Sequence, residues 1–203
     1  MINVLLDPLP ETFEGYPINT DFRIGIQIDQ ALKDESLSPQ ERMEVAADLL
    51  FGSDDGRVFP DVETCSRGIT WFMSGWYTDR QLQKDKTDKK KAYDYDADQW
   101  RIFAAFLAQY RIDLSREDTV MHFWSFMGLL TSLGESAFTR VIDLRTGKPP
   151  GKLGSAEQKA WEEQQKRYSL ENEEQQETEA EKEERERRTQ EFLAMTTIHR
   201  AEQ

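Results

Sequence analysis

The stretch from Asp98 to Arg145 constrains the fold more than any other part of the chain. It holds two apolar, aromatic-rich segments joined by a short polar turn, and no other window contains so many large apolar side chains. Recurrence every three or four residues predicts a helix in the first segment. Its buried stripe is predicted to consist of Trp100, Phe103, Leu107 and Tyr110, widened by Ile102 and Phe106.

The second segment predicts the central helix of the fold. Ser115 with Asp118 resembles a capping box at its start, and Gly134 marks its end. Apolar residues cover much of the helix circumference, which is typical of a helix surrounded by others. The predicted stripe consists of Val120, Phe123, Trp124, Met127 and Leu130, extended by Phe126, Leu129 and Leu133.

Three helices are predicted before this pair. The first covers about 21–35, and the second starts at Ser38-Pro39-Gln40-Glu41 and ends at Gly52, since Ser38 can cap and Glu41 can complete a capping box. Pro60 opens the third. The predicted buried face of that third helix is formed by Val62, Cys65, Ile69, Phe72 and Trp76.

Gly15, between Phe13 and Tyr16, favours a small β-hairpin near the start of the chain. An isolated hairpin is marginally stable, so this one is expected to pack on the helices. The predicted fold class is therefore mainly α: a compact helical bundle with a small N-terminal β-hairpin and a long charged C-terminal helix or tail.

Proline and glycine in residues 148–154 predict a linker between a helical core domain, 1–147, and a charged C-terminal arm, 155–203. Ser155 begins the arm with capping-box spacing, and the arm is either helical or disordered. A solubilising tail and an arm that captures a partner both fit this composition. In the second interpretation the candidate partner-binding residues are Trp161, Tyr168, Phe192, Leu193, Met195 and Ile198.

The net charge of −13 over 203 residues limits the classes of partner. So acidic a chain repels phosphate backbones and anionic lipid surfaces, which argues against nucleic-acid and membrane partners. The lysine run 84–91 contains interspersed aspartates and is better explained as a solvated loop. One cysteine excludes an intrachain disulfide, and the opening residues lack the features of a signal peptide, so we expect a protein of a reducing cytoplasm.

No catalytic, cofactor-binding or metal-binding residues are predicted. His122 has no second histidine or cysteine at ligand spacing, and Cys65 occupies a core-facing position, so both are interpreted as structural. The alternating Asp94, Asp96 and Asp98 have two interpretations: a carboxylate cluster around a cation such as magnesium, or a lead-in that complements a helix N-terminus. The second is preferred.

Several segments carry a resemblance to a known family. They are Tyr16–Arg23, Tyr93–Asp98, Phe103–Phe106, Tyr110–Leu114, Met121–Phe126, Leu129-Leu130 and Phe138–Arg145. In order and spacing they resemble the bacteriophage gene product 15 proteins of siphophages that infect Gram-positive hosts, over about residues 1–170. Two departures stand out: Arg111 lies where glycine is expected, and Phe123 where the family often has the first tryptophan of a pair.

The resemblance implies a role in tail morphogenesis and no enzymatic activity. Genes of this kind typically lie between those of the major tail protein and the tape-measure protein, and proteins from that position act as tail assembly chaperones. The expected partners are therefore the tape-measure protein and the major tail protein, in the host cell cytoplasm, with the chaperone absent from the mature virion. A structural component of the tail or neck is the alternative, and homo-oligomerisation is left open.

Overall fold

Seven helices and a two-stranded hairpin form the secondary structure in the part of the chain that the computed structural model describes, residues 3–52, 58–75, 91–147, 154–170 and 187. This confirms the predicted mainly α fold with a small N-terminal hairpin. The strands are β1 (Thr12–Phe13) and β2 (Tyr16–Pro17). The helices are α1 (Phe22–Lys33), α2 (Pro39–Phe51), α3 (Val62–Ser74), α4 (Gln99–Tyr110), α5 (Phe123–Thr131), α6 (Ala137–Thr146) and α7 (Ser155–Arg167).

Contacts between residues group the chain into two compact units. The first lies within 1–86 and 100–134 and contains the hairpin, α1, α2, α3, α5 and all of α4 after its first residue. The second lies within 87–99 and 135–203 and contains α6 and α7. Most of the predicted linker lies outside the described residues, so the division into 1–147 and 155–203 stays a prediction.

The hairpin and α2 follow from local sequence. Glu14 and Gly15 both have positive φ, 48° and 89°, as a two-residue hairpin turn with the right-handed twist of the strands requires. At the start of α2, Ser38 accepts a hydrogen bond from the backbone N–H of Glu41, and the Glu41 carboxylate accepts one from that of Ser38. The predicted capping box is confirmed.

Aromatic side chains fill the core of the first unit. Phe126 of α5 stacks on Phe22 of α1 at 5.2 Å and on Phe106 of α4 at 5.1 Å between ring centroids. Phe123 stacks on Phe72 of α3 at 5.4 Å. The residues of α5 that are buried include Phe123, Trp124, Phe126, Met127 and Leu130, so the prediction of a central helix is confirmed.

The predicted buried stripe of α4 is right for Ile102 and Phe106 and wrong for Trp100 and Leu107. Ile102, Ala105 and Phe106 are buried, whereas Trp100 is 73% and Leu107 is 40% exposed. The helix is apolar on two opposite faces, and the spacing of its residues does not say which face packs inward.

The predicted capping box of Ser115 and Asp118 is also wrong, because residues 111–121 are not helical and α5 begins only at Phe123. The guanidinium of Arg23 donates hydrogen bonds to three backbone carbonyls in this segment, at 2.7–3.1 Å. They belong to Leu114, Arg116 and Thr119. Carbonyls satisfied from outside do not need helical partners, so the segment stays a loop.

Smaller corrections concern helix ends and one helix face. Asp61, one residue after Pro60, caps α3 by accepting from the N–H of Thr64. Val62 is 87% exposed and does not join the buried face of that helix. Ser132 caps the C-terminus of α5, two residues before Gly134. Gly154, not Ser155, precedes the first turn of α7, where its N–H donates to the carboxylate of Glu157.

Candidate interaction surfaces

The charged α7 packs against α6 in the second unit. The side-chain amide of Gln165 donates to the carbonyls of Leu144, at 3.0 Å, and Gly147. Leu170, just after the helix, is buried. The start of the predicted arm is therefore attached to α6 in the described part of the chain.

The candidate partner-binding residues fall into two groups. Trp161 and Tyr168 are half-buried, and the indole N–H of Trp161 is enclosed with no acceptor among the described residues. The carbonyl of Tyr168 accepts from Arg145 at 2.6 Å. Part of each residue is thus used within the unit, and their role toward a partner stays a prediction. The other four lie outside the described residues: Phe192, Leu193, Met195 and Ile198.

A buried ion pair organises the second unit. Arg145 of α6 donates to both carboxylate oxygens of Asp98, and the two side chains are only 3% and 0% exposed. Arg145 also donates to the carbonyl of Ala92 at 3.3 Å, in addition to that of Tyr168. One guanidinium therefore joins the segment before α4, helix α6 and the end of α7.

This arrangement explains the aspartates that precede α4. Asp98 faces Arg145, whereas Asp94 accepts from the backbone N–H groups of Asp96 and Ala97 and pairs with Lys91 at 2.8 Å. Burial raises the pKa of Asp94, but the bonds from Lys91 and the backbone outweigh it, so that pKa lies below its usual value. Within the described ranges no group of three or more His, Cys, Asp and Glu side chains is placed to hold a metal ion.

His122 caps the N-terminus of α5. Its Nδ1 accepts from the N–H of Trp124 at 3.0 Å, so the proton of the neutral ring lies on Nε2, which donates to the carbonyl of Pro10 at 3.1 Å. Burial lowers the pKa of His122, although the bond to Pro10 and the charge of Glu11 partly oppose this. Both ring nitrogens are used in the fold, as the structural interpretation expects.

Cys65 is buried in α3, where its thiol donates to the carbonyl of Pro60 at 3.6 Å. This is the environment of a small core residue and not of a reactive thiolate, which needs exposure and a nearby positive charge.

An exposed apolar face on α4 is the feature that sequence reasoning assigned to the core. Trp100, Ala104, Leu107 and Ala108 lie at the positions i, i+4, i+7 and i+8 of one helix face, and all four are exposed. Phe103 is half-buried beside them, with its ring 5.8 Å from that of Trp100 in an edge-to-face arrangement. The sequence does contain a signal for this exposed face: α4 has more apolar residues than one buried face needs, and a surface helix normally buries one face only.

Other exposed apolar residues are spread over the chain. None of the helices that the structure describes has the length and apolar character of a membrane span. Among the described residues outside α4, the large apolar side chains that are exposed are those of Val4, Leu5, Leu6, Val58, Phe59, Val62 and Val120.

Comparison with protein families matches residues 5–170 to a model described as Bacteriophage Gp15 protein. The chain belongs to the bacteriophage Gp15 family. Comparison with curated proteins and with solved structures gave no match. The matched range contains the hairpin and α1 to α7. Residues 171–203, which belong to the second unit, lie beyond the match.

The structure shows the surroundings of Arg111 and Phe123, the two positions at which the resemblance predicts a different residue. Arg111 directly follows the last residue of α4 and has φ 60°, in the left-handed region that glycine adopts without strain. Phe123 is 1% exposed, and its ring lies so close to Gly25 of α1 that a Cβ atom at position 25 would overlap it. The backbone at 111 accounts for the expectation of glycine there.

Proposed function

We propose that this Gp15 protein is a tail assembly chaperone that binds the tape-measure protein and tail-tube subunits during tail morphogenesis. Family membership supports a role in phage structure or assembly. The observation that carries the finer proposal is the exposed apolar face of α4. A tryptophan 73% exposed on a regular helix is suited to transient coverage by another protein.

Binding, without catalysis, is the proposed mode of action. His122 and Cys65, the histidine and the cysteine of the described body, are each engaged in packing and hydrogen bonds. The net charge of −13 keeps the chaperone soluble and disfavours nucleic acid and membranes as partners. Many weak contacts along an elongated partner would give avidity and still permit release.

The host cell cytoplasm is the proposed location, with the protein absent from the mature virion. Quantitative mass spectrometry of purified particles distinguishes this from the alternative, a structural tail or neck component. The chaperone is expected in infected-cell lysate and not in particles. Stoichiometric amounts in the particle would establish the structural role instead.

Co-purification tests whether the protein binds the two proposed partners. The tagged full-length chain is co-expressed with the tape-measure protein of the same phage, and separately with the major tail protein. Capture of the tape-measure protein is expected. A form ending at Leu170 tests residues 171–203 and keeps two features of the second unit, the hydrogen bond from Arg145 to the carbonyl of Tyr168 and the buried Leu170. Equal capture by this shorter form would remove the C-terminal arm from the mechanism.

A further inference from the structure

The exposed face of α4 is short, and its residues are apolar and uncharged. Trp100 and Leu107 are two turns apart, with Ala104 between them, and none of the residues on this face is charged. The small side chain of Ala104 between the two large ones, and that of Ala108 next to Leu107, leave the helix backbone accessible to a partner. Another helix fits such a surface, because its side chains enter the space above the alanines.

The area of the face limits how tightly one copy holds a partner. A tryptophan loses about 150–250 Å² when fully covered, and a stable complex needs about 800 Å² on each side. The exposed parts of Trp100, Leu107 and the two alanines supply roughly half of that or less. A stable dimer through this face alone is therefore disfavoured, whereas weak binding repeated along a long partner is compatible with it.

Charge further restricts the partner. The contact face is neutral, and the chain as a whole carries a net charge of −13. An acidic helix would be repelled, and a helix whose apolar stripe is bordered by Lys and Arg would be attracted.

We propose that the face formed by Trp100, Phe103, Ala104, Leu107 and Ala108 is the docking surface for an amphipathic α-helix with basic borders. The identification of that helix with a segment of the tape-measure protein rests on the proposed function. Each copy of the chaperone covers about two turns of the partner and shields its apolar stripe from water.

Three variants of the full-length chain test the surface. Trp100→Ala removes the largest contact, and Ala104→Arg places a long charged side chain in the centre of the face while keeping a good helix former. Val62→Arg is the matched control, because it makes the same kind of change at an apolar residue 87% exposed on α3. Each is co-expressed with the tape-measure protein, and the captured amount is measured by quantitative mass spectrometry.

The expected result is a loss of about tenfold in capture for Trp100→Ala and Ala104→Arg. Val62→Arg is expected to behave as the parent, with all melting temperatures similar. Raising the salt concentration is expected to weaken capture by the parent chain, because the borders of the partner helix are basic. Photo-crosslinking from position 104 maps the partner segment even if a variant folds poorly.

Three results would contradict the assignment of the α4 face as the docking surface for this helix. Full capture of the tape-measure protein by Ala104→Arg, together with no crosslink from position 104 to that protein, rejects the α4 face as the docking surface. The proposed chaperone function would not be affected by this result. Failure of the parent chain to capture the tape-measure protein rejects the function and, with it, this occupant. A dimer of the chain alone that Ala104→Arg dissociates assigns the face to a second copy.

Discussion

The guanidinium of Arg145 and the carboxylate of Asp98 form a hydrogen-bonded pair whose side chains are 3% and 0% exposed. Removing one partner leaves an uncompensated buried charge, which typically costs about 3–5 kcal/mol. Asp98→Asn is therefore expected to lower the free energy of unfolding by about that amount, measured by urea denaturation. Loss of protection in hydrogen exchange should be largest around α6 and the end of α7.

An exposed ion pair between α6 and the residues just before it provides the control. Arg140 and Glu135 are 71% and 79% exposed, and such pairs contribute little because water and salt screen them. Glu135→Gln should leave the urea midpoint unchanged. A change as large as that of Asp98→Asn would show that burial is not what makes the Asp98 pair important.

A pH-dependent loss of stability is expected from His122. Its pKa is lowered in the folded state, where Nδ1 must stay unprotonated to cap α5, while the unfolded chain titrates near the usual value of about 6.5. Below about pH 6.5 the unfolded state binds more protons, so stability falls as pH decreases, by up to about 1.4 kcal/mol per pH unit, until the folded pKa is reached. Urea unfolding between pH 8 and 5 measures this slope.

His122→Asn separates this titration from that of the carboxylates. Asparagine is a good N-cap and does not titrate, so the variant should keep a helical α5 and lose the slope around pH 6. Acidic groups with lowered pKa, such as Asp94, act only at lower pH, because their stabilisation is lost as pH falls below the usual carboxylate range. An unchanged slope would assign the effect to another group.

How far the sequence predicts the fold depends on whether the deciding interaction is local. The capping box of Ser38 and Glu41 lies within four residues, and it forms as predicted. Ser115 and Asp118 have the same spacing but form no such box, because Arg23, more than 90 residues away in the chain, binds the carbonyls of that segment. Local patterns cannot reveal such a distant donor.

Which of the two apolar faces of α4 is exposed cannot be predicted from the sequence, for a related reason. Trp100 and Phe106 both lie on apolar faces of α4, and only tertiary packing decides that the face of Phe106 is buried. The buried pair did leave a signal: Arg145 continues the spacing of Phe138 and Val141, which are buried in α6. A charged residue in an apolar stripe predicts a buried partner of opposite charge.

Arg23 should be replaceable by lysine only at a cost. Its planar guanidinium reaches three carbonyls at once, which a single ammonium cannot do. Arg23→Lys is expected to lose about 2 kcal/mol of stability, the value of one or two hydrogen bonds from a charged group. Hydrogen exchange should report faster opening of residues 111–121. If Arg23→Lys increased hydrogen exchange equally in all parts of the chain, a specific role of Arg23 in holding residues 111–121 would be contradicted.

Arg111→Gly should stabilise the protein. The residue has φ 60°, a conformation that costs a non-glycine residue about 1–2 kcal/mol, and glycine loses part of this gain through the entropy of the unfolded chain. A net gain of about 0.5–1 kcal/mol is expected, seen as a higher melting temperature. Arg111→Ala is the control, since it removes the side chain and keeps the strain. Equal gains from both variants would assign the effect to charge and not to backbone conformation.

Two glycines in helices are expected to respond to alanine in opposite ways. A Cβ atom at Gly25 of α1 would overlap the ring of Phe123, which is itself 1% exposed and packed against Phe72. A Cβ atom at Gly128 of α5 would have no atom within 4 Å. Gly25→Ala is therefore expected to destabilise by about 1–3 kcal/mol through overpacking, and Gly128→Ala to stabilise by up to about 1 kcal/mol through helix propensity. Thermal denaturation of both variants measures the difference. If Gly25→Ala were as stable as the parent, the close packing of α1 against α5 at this point would be wrong, because an added Cβ atom could not fit beside the ring of Phe123 in that arrangement.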